Sequence, residues 1–135
     1  MNERVRQAQC SCGALRVDCS GDPVRISMCH CIACQRRTGV VFSTQSRFTR
    51  PQVRVAGESR VYTRTADSGN TVSFHFCGRC GSTVYWELSG FPDLIAVATG
   101  MFADPTFPAP RVSVHEGMRH GWTADIAACE MQHQR

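Results

Sequence analysis

The sequence has no lysine: all fifteen of its basic residues are arginine. They are scattered, at Arg4, Arg16, Arg25, Arg47, Arg60 and onward, and only Arg36-Arg37 stand side by side. Nothing in that distribution makes the basic stripe that tracks a phosphate backbone, so no nucleic-acid partner is expected. The arginines read instead as a solvated surface. Long apolar runs are also missing. The longest, near Leu94 to Ala98, is far too short to cross a bilayer, so no membrane partner is expected either. The first seven residues, Met1 to Gln7, lack an apolar stretch and carry an early acid, unlike a secretory leader. The expected compartment is therefore the reducing cytoplasm. Paired carboxylates, a phosphate-cradling glycine loop and a serine- or threonine-based nucleophile pattern are absent as well.

Cysteine is what the chain has in excess: nine in 135 residues. An odd number in a reducing compartment argues against a disulfide framework and for metal binding or catalysis. A chain of this length fits a single domain, taken as 1–135 with a core of about 8–125, and can bury about two-thirds of its unfolded surface. The cysteines therefore are not needed as staples.

Seven of the nine fall into three clusters: Cys10-Ser11-Cys12, Cys29-His30-Cys31-Ile32-Ala33-Cys34 and Cys77-Gly78-Arg79-Cys80. In extended backbone, residues i and i+2 point to one face, so Cys10 with Cys12, and Cys29 with Cys31, can each chelate one ion while His30 is thrown to the other side. The Cys77 to Cys80 spacing wraps a tight turn that aims both sulfurs at one point, with Gly78 and Gly81 relieving the backbone. Cys34 lies one helical turn beyond Cys31. A structural zinc takes four ligands, and a catalytic one takes three with a position left open. Cys10, Cys12, Cys77 and Cys80 are therefore assigned to a closed site, and Cys29, Cys31 and Cys34 to a second zinc with a vacancy. Seven thiolates and two dications would bring the formal charge from +4 to near +1. Two alternatives stay open: a thiol-redox role for the three-cysteine cluster, or a second structural zinc completed by His75 or His115. Cys19 reads as a small core residue and Cys129 as an incidental thiol.

The rest of the chain is short strands separated by Gly, Pro, Asp and Ser. Strands are expected at Ala14 to Cys19, Val24 to Met28, Val40 to Gln45, Val53 to Ala56, Arg60 to Thr65, Thr71 to Phe76, Thr83 to Leu88, Leu94 to Thr99 and Val112 to His115. One short helix is expected over Ile32 to Thr38, ended by Gly39. The pattern predicts a mainly β architecture. On that helix Arg36 or Arg37 can face the vacant position and pair with a substrate carboxylate. Thr38 is a candidate for hydrogen-bonding a substrate, although a capping or turn role suits it better. His115 is a candidate proton carrier or pocket wall, and Trp122 a core residue or pocket wall.

The cysteine clusters with their neighbours resemble one known family. Cys10-x-Cys12-Gly13-Ala14, then Cys29-His30-Cys31-x-x-Cys34 with Gly39, then Phe76-Cys77-x-x-Cys80-Gly81 are similar to the GFA family, named for the glutathione-dependent formaldehyde-activating enzyme and including the centromere protein V type. Gly57-Glu58 with Tyr62, Ala98-Thr99-Gly100 before Asp104-Pro105, and His115 before Trp122 extend the likeness over about residues 8 to 125. The resemblance implies a β-tent fold of small antiparallel sheets around a four-cysteine zinc, and a second zinc on Cys29, Cys31 and Cys34. It also implies a carbon–sulfur lyase type of activity, in which glutathione and formaldehyde give S-(hydroxymethyl)glutathione. A small thiol or thiol adduct is then the expected partner. The alternative is a non-catalytic zinc module that binds a protein or small ligand.

Overall fold

The computed structural model describes residues 3–135. Ten strands and one α-helix follow in order: β1 (Val5–Gln9), β2 (Arg16–Ser20), β3 (Arg25–Cys29), α1 (Ile32–Thr38), β4 (Ser43–Thr49), β5 (Val53–Ala56), β6 (Arg60–Thr65), β7 (Thr71–Phe76), β8 (Thr83–Leu88), β9 (Leu94–Ala98) and β10 (Val112–Val114). Short 3-10 turns join several of them, and three more follow β10. No helix among the described residues is long and apolar enough to cross a membrane.

The strands form two sheets. The smaller has the order β1-β2-β5, and the larger β10-β3-β4-β9-β8-β7-β6. The expectation of small antiparallel sheets needs one amendment. The larger sheet runs to seven strands, and its β10 lies parallel to β3, pairing Val112 with Ser27 and Val114 with Cys29. Local sequence pattern carries no trace of that pairing, because it joins segments more than eighty residues apart.

Each face of the large sheet has its own apolar packing. One face meets the small sheet. Ala8, Val17 and Cys19 from β1 and β2 pack with Phe48, Tyr85, Ile95 and Val97 from β4, β8 and β9, and Leu15 and Phe102 close the ends. Fully burying an aliphatic or aromatic side chain contributes about 1.5–3 kcal/mol, so this layer dominates the cohesion of the fold. Cys19 sits here at 0% exposure, as expected of a small core residue, and burial pushes its thiol up to about 12. The opposite face carries a smaller cluster, Val72, Phe74, Trp86 and Ala96. The helix α1, which follows directly from β3, lies at the end of this second face.

Register decides which residues share that second face. Arg25, Ser27 and Cys29 alternate along β3, and their partners on β4 are Arg47, Gln45 and Ser43. Ala96 faces Arg47 from β9, Trp86 faces Ala96 from β8, Phe74 faces Trp86 from β7, and Arg64 faces Val72 from β6. An extra residue in β8, Val84, sits between the Phe76–Thr83 and His75–Tyr85 pairs and kinks the strand beside the third cysteine cluster.

Candidate metal centres and substrate cavity

The first cysteine group is Cys10, Cys12, Cys77 and Cys80, whose sulfurs all lie within 4.8 Å of one another. Cys12 Sγ is 3.7 Å from Cys10 Sγ and 3.6 Å from Cys77 Sγ. Thiolates about 2.3 Å from a tetrahedral zinc stand about 3.8 Å apart, so the donor set fits such an ion. Two similar turns build it. Gly13 N–H donates to the Cys10 carbonyl (3.1 Å) and Gly81 N–H to the Cys77 carbonyl (2.8 Å). Both glycines have positive φ, 80° and 81°, which a Cβ would strain. Leu15 N–H and Arg79 N–H point at the Cys10 and Cys77 sulfurs (3.3 and 3.4 Å). The Ser82 hydroxyl, helped by the Ser82 and Cys12 N–H groups, holds the Cys80 thiol down to about 5. Cys10 and Cys77 are each 1% exposed and belong to the core between the sheets.

The second group is Cys29, Cys31 and Cys34, again within 4.8 Å of one another. Cys29 ends β3 and Cys31 caps α1, its sulfur accepting from Cys34 N–H at 3.3 Å. Gly39 ends the helix with φ 72°, its N–H bonded to the Gln35 carbonyl. A hydrogen bond from Cys29, then one from Cys31, then the Arg37 guanidinium hold the Cys34 thiol down to about 5; Cys29, as donor, is pushed up. Three sulfurs without a carboxylate or imidazole form a soft set that suits zinc. Among the described residues neither His75 nor His115 joins the group. His75 is occupied elsewhere, between the Ser59 hydroxyl (2.8 Å) and Glu87 Oε1 (2.9 Å), on the opposite face of the sheet.

All three of these sulfurs line one cavity of about 250 Å³. Phe74, Trp86, Val72 and Leu88 form its apolar wall, and Ser43 and Gln45 contribute polar groups. It shares Cys31, Arg64, Ala66 and His115 with a neighbouring outer cleft of about 650 Å³. Of the four-sulfur group, Cys77 borders a surface hollow and Cys12 is exposed.

The other residues singled out from sequence fall in different places. Arg37 enters the inner cavity, its guanidinium 4.7 Å from the Phe74 ring centroid and 4.5 Å from that of Trp86, with a 3.0 Å bond to Ser43 Oγ. Arg36 is exposed and lines the outer cleft. Thr38 is turned away from the sulfurs: its hydroxyl donates to the Cys34 carbonyl (2.8 Å) and accepts from Val40 N–H (3.0 Å), the work of a helix end. His115 borders both cavities. His30 is 1% exposed and turned from the sulfurs, its Nε2 3.1 Å from Ser113 Oγ. Trp122, expected in the core or on a pocket wall, is 49% exposed and lines neither cavity.

The view of the arginines as scattered surface charge also needs correcting. Arg25, Arg47 and Arg64 join Arg37 on the wall of the inner cavity. The signal was present in the sequence. Arg25 lies four residues before Cys29, on the same strand face, and Ser43, Gln45 and Arg47 alternate in step with it.

None of the curated proteins compared matches the chain. Among solved structures, a Rhodobacter sphaeroides protein determined as a structural-genomics target superposes with a TM-score of 0.60 at 17% identity, covering 79% of this chain and 98% of that one, a likeness of fold. The family model described as glutathione-dependent formaldehyde-activating enzyme matches residues 5–118, and the chain belongs to that family.

Proposed function

We propose that this protein is a zinc-dependent enzyme of the carbon–sulfur lyase type, acting on a thiol adduct such as that of glutathione with formaldehyde. One observation carries this reading: three clustered sulfurs, one short of a closed tetrahedral set, line a cavity, whereas the other group supplies all four ligands itself. Cys10, Cys12, Cys77 and Cys80 would hold a structural zinc, and Cys29, Cys31 and Cys34 a second one with its free position toward the cavity. The arrangement of sheets around the first site then corresponds to the family's β-tent.

When bound at the three-sulfur site, zinc would acidify an incoming substrate thiol. The chain's own groups do the rest. Phe74 and Trp86 keep water from the inner cavity, and Arg37 is fixed between them and Ser43. Arg36, in the outer cleft, pairs with a substrate carboxylate that extends that far. Thr38 steadies the end of α1 that carries Cys34. In the synthetic direction the substrate sulfur attacks the aldehyde carbon, a C–S bond forms, and the thiol proton ends on the former carbonyl oxygen. His115, at the junction of the two cavities, is the group placed to carry that proton.

The test is Cys31→Ser, assayed for zinc content and for formation of S-(hydroxymethyl)glutathione. The expected result is one zinc fewer per chain and a rate at the uncatalysed level, with the thermal transition retained. A variant that has lost one zinc and keeps full activity would overturn the proposal.

A further inference from the structure

The inner cavity is charged in a way that sulfur chemistry alone does not require. Arg25, Arg37, Arg47 and Arg64 all line it, and no Asp or Glu does. Among the described residues none of these four guanidiniums forms a salt bridge with a carboxylate. Arg25 and Arg47 are direct cross-strand partners on β3 and β4, a like-charge pairing that destabilises a sheet. Arg37 and Arg64 both approach the same ring, Phe74, at 4.7 and 5.9 Å. The Nε atoms of Arg37 and Arg47 are buried without a hydrogen-bond partner. Arg37, Arg47 and Arg64 are half-buried and Arg25 is exposed at the rim; partly desolvated cations set side by side without counter-charge are costly unless an anion completes them. A zinc on three thiolates carries one negative charge, far short of neutralising four guanidiniums.

We infer that this arginine wall is the specificity site for the substrate's acidic end, and that the cavity selects thiols bearing two carboxylates. Arg25 and Arg47 form the clamp, and Arg64 adds charge from β6 at the mouth. The inference rests on the function proposed above. Cys29 and Arg25 are four residues apart on one strand, about 13 Å of backbone. Arg37, bonded to Ser43 beside Cys29, stands at the sulfur end of the cavity, and the Arg47 guanidinium packs on the Phe91 ring at 5.0 Å, so a thiol whose carboxylates span that length bridges the two. Guanidinium forks match carboxylates in bidentate geometry, which explains arginine at all four positions. Both glutathione and a compact mercapto-diacid carry this chemistry.

Two measurements on the zinc-loaded, full-length protein test it. In the first, succinate, which has no sulfur, is titrated calorimetrically against its neutral analogue succinamide. Succinate should bind at least tenfold more tightly, and Arg25→Gln with Arg47→Gln should abolish most of that preference. The same double variant should melt at a higher temperature than the wild type, because a like-charge pair has been relieved. A merely structural role would move binding and stability in the same direction. Equal binding of succinate and succinamide, or undiminished succinate preference in the double variant, would overturn the inference.

In the second measurement, kcat/KM is compared for the formaldehyde adducts of mercaptosuccinate, glutathione, 2-mercaptoethanol and cysteamine. The two dicarboxylates should exceed the neutral and cationic thiols by at least tenfold, and the double variant should shrink that ratio by a similar factor. Dicarboxylate adducts no better than the 2-mercaptoethanol adduct would overturn it. Which of the two dicarboxylates is favoured separates the compact acid from the tripeptide. If no adduct is turned over, the proposed reaction fails, while the succinate titration still decides the inference on its own.

Discussion

Glu87 organises the sheet face that points away from the inner cavity. Its Oε2 accepts from Arg50 at 2.6 Å, and its Oε1 accepts from His75 Nε2 at 2.9 Å. The His75 ring stacks on Tyr85 with centroids 4.2 Å apart, and Ser59 holds its Nδ1. The Arg50 hydrogen bond, opposed by partial burial and assisted by His75, holds the Glu87 carboxyl below the ordinary carboxylate range. A depressed carboxyl pKa means that the unfolded chain binds the proton more readily. The stabilisation is therefore complete above the unfolded value of about 4.3 and is lost as pH falls through the lower folded value. Glu87→Gln should cost about 1 kcal/mol at neutral pH, toward the low end for charge-assisted bonds because the side chain is partly exposed. The gap between wild type and variant should close as pH is lowered from 7 to below 4. Thermal unfolding of both proteins across that range measures it; a gap that is constant with pH would show that the carboxylate charge is not what matters.

At the scale of elements, the turn between β5 and β6 reaches the first cysteine turn. Gly57 has φ 95°, and a Cβ there would be driven into the Ala14 carbonyl. Ala14 directly precedes Leu15, whose N–H points at the Cys10 sulfur. Gly57→Ala should therefore act twice. Left-handed strain alone is worth about 1–3 kcal/mol, and displacement of Ala14 should loosen the four-sulfur site as well. Differential scanning calorimetry with metal analysis of the same sample checks both effects; a variant with unchanged Tm and full metal content would remove this turn from the account.

How far the elements could be read from sequence follows from what bounds them. The strands β5, β6, β7 and β8 and the helix α1 emerge with the expected ends, because Gly57, the 67–70 turn, the Cys77–Gly81 turn and Gly39 cut them off locally. β4 begins three residues later than its apolar residues suggest, at Ser43, where pairing to Cys29 starts, and it continues to Thr49. β1 gives no strand signal because its buried residues are Arg6 and Ala8, not an apolar alternation. Arg6 is accommodated by stacking on Phe107 and by the Gly21 carbonyl. The two cysteine groups were legible because chelation sets local spacing. The arginine wall was legible only in part: Arg25 shares a strand face with Cys29, but its meeting with Arg37, Arg47 and Arg64 is set by the registers of β3, β4 and β6 across the sheet.

For the molecule as a whole, the two cysteine groups stand in opposite relations to folding. Cys10 and Cys77 are part of the packed layer between the sheets, and their turns tie the end of β1 to the β7–β8 connection. Metal binding at such a closed site is coupled to folding and is worth on the order of 10 kcal/mol. The three-sulfur group draws its ligands from one short stretch, Cys29 to Cys34, whose conformation is already fixed by β3, α1 and the Gly39 cap. Its metal would stabilise little beyond that segment, and the cavity gives a chelator access to it. Metal release should therefore be biphasic. A mild chelator should remove the first equivalent quickly, with loss of activity and a Tm shift of only a few degrees. The second equivalent should leave slowly, and only as cooperative structure is lost. Zinc release followed by a chromogenic chelator, in parallel with circular dichroism, separates the phases. A single tightly held equivalent in freshly reduced protein would favour the binding-module reading of this family member over the enzyme. Two equivalents leaving together with the fold would mean that the three-sulfur site is as closed as the other, and the cavity could not then be where substrate meets metal.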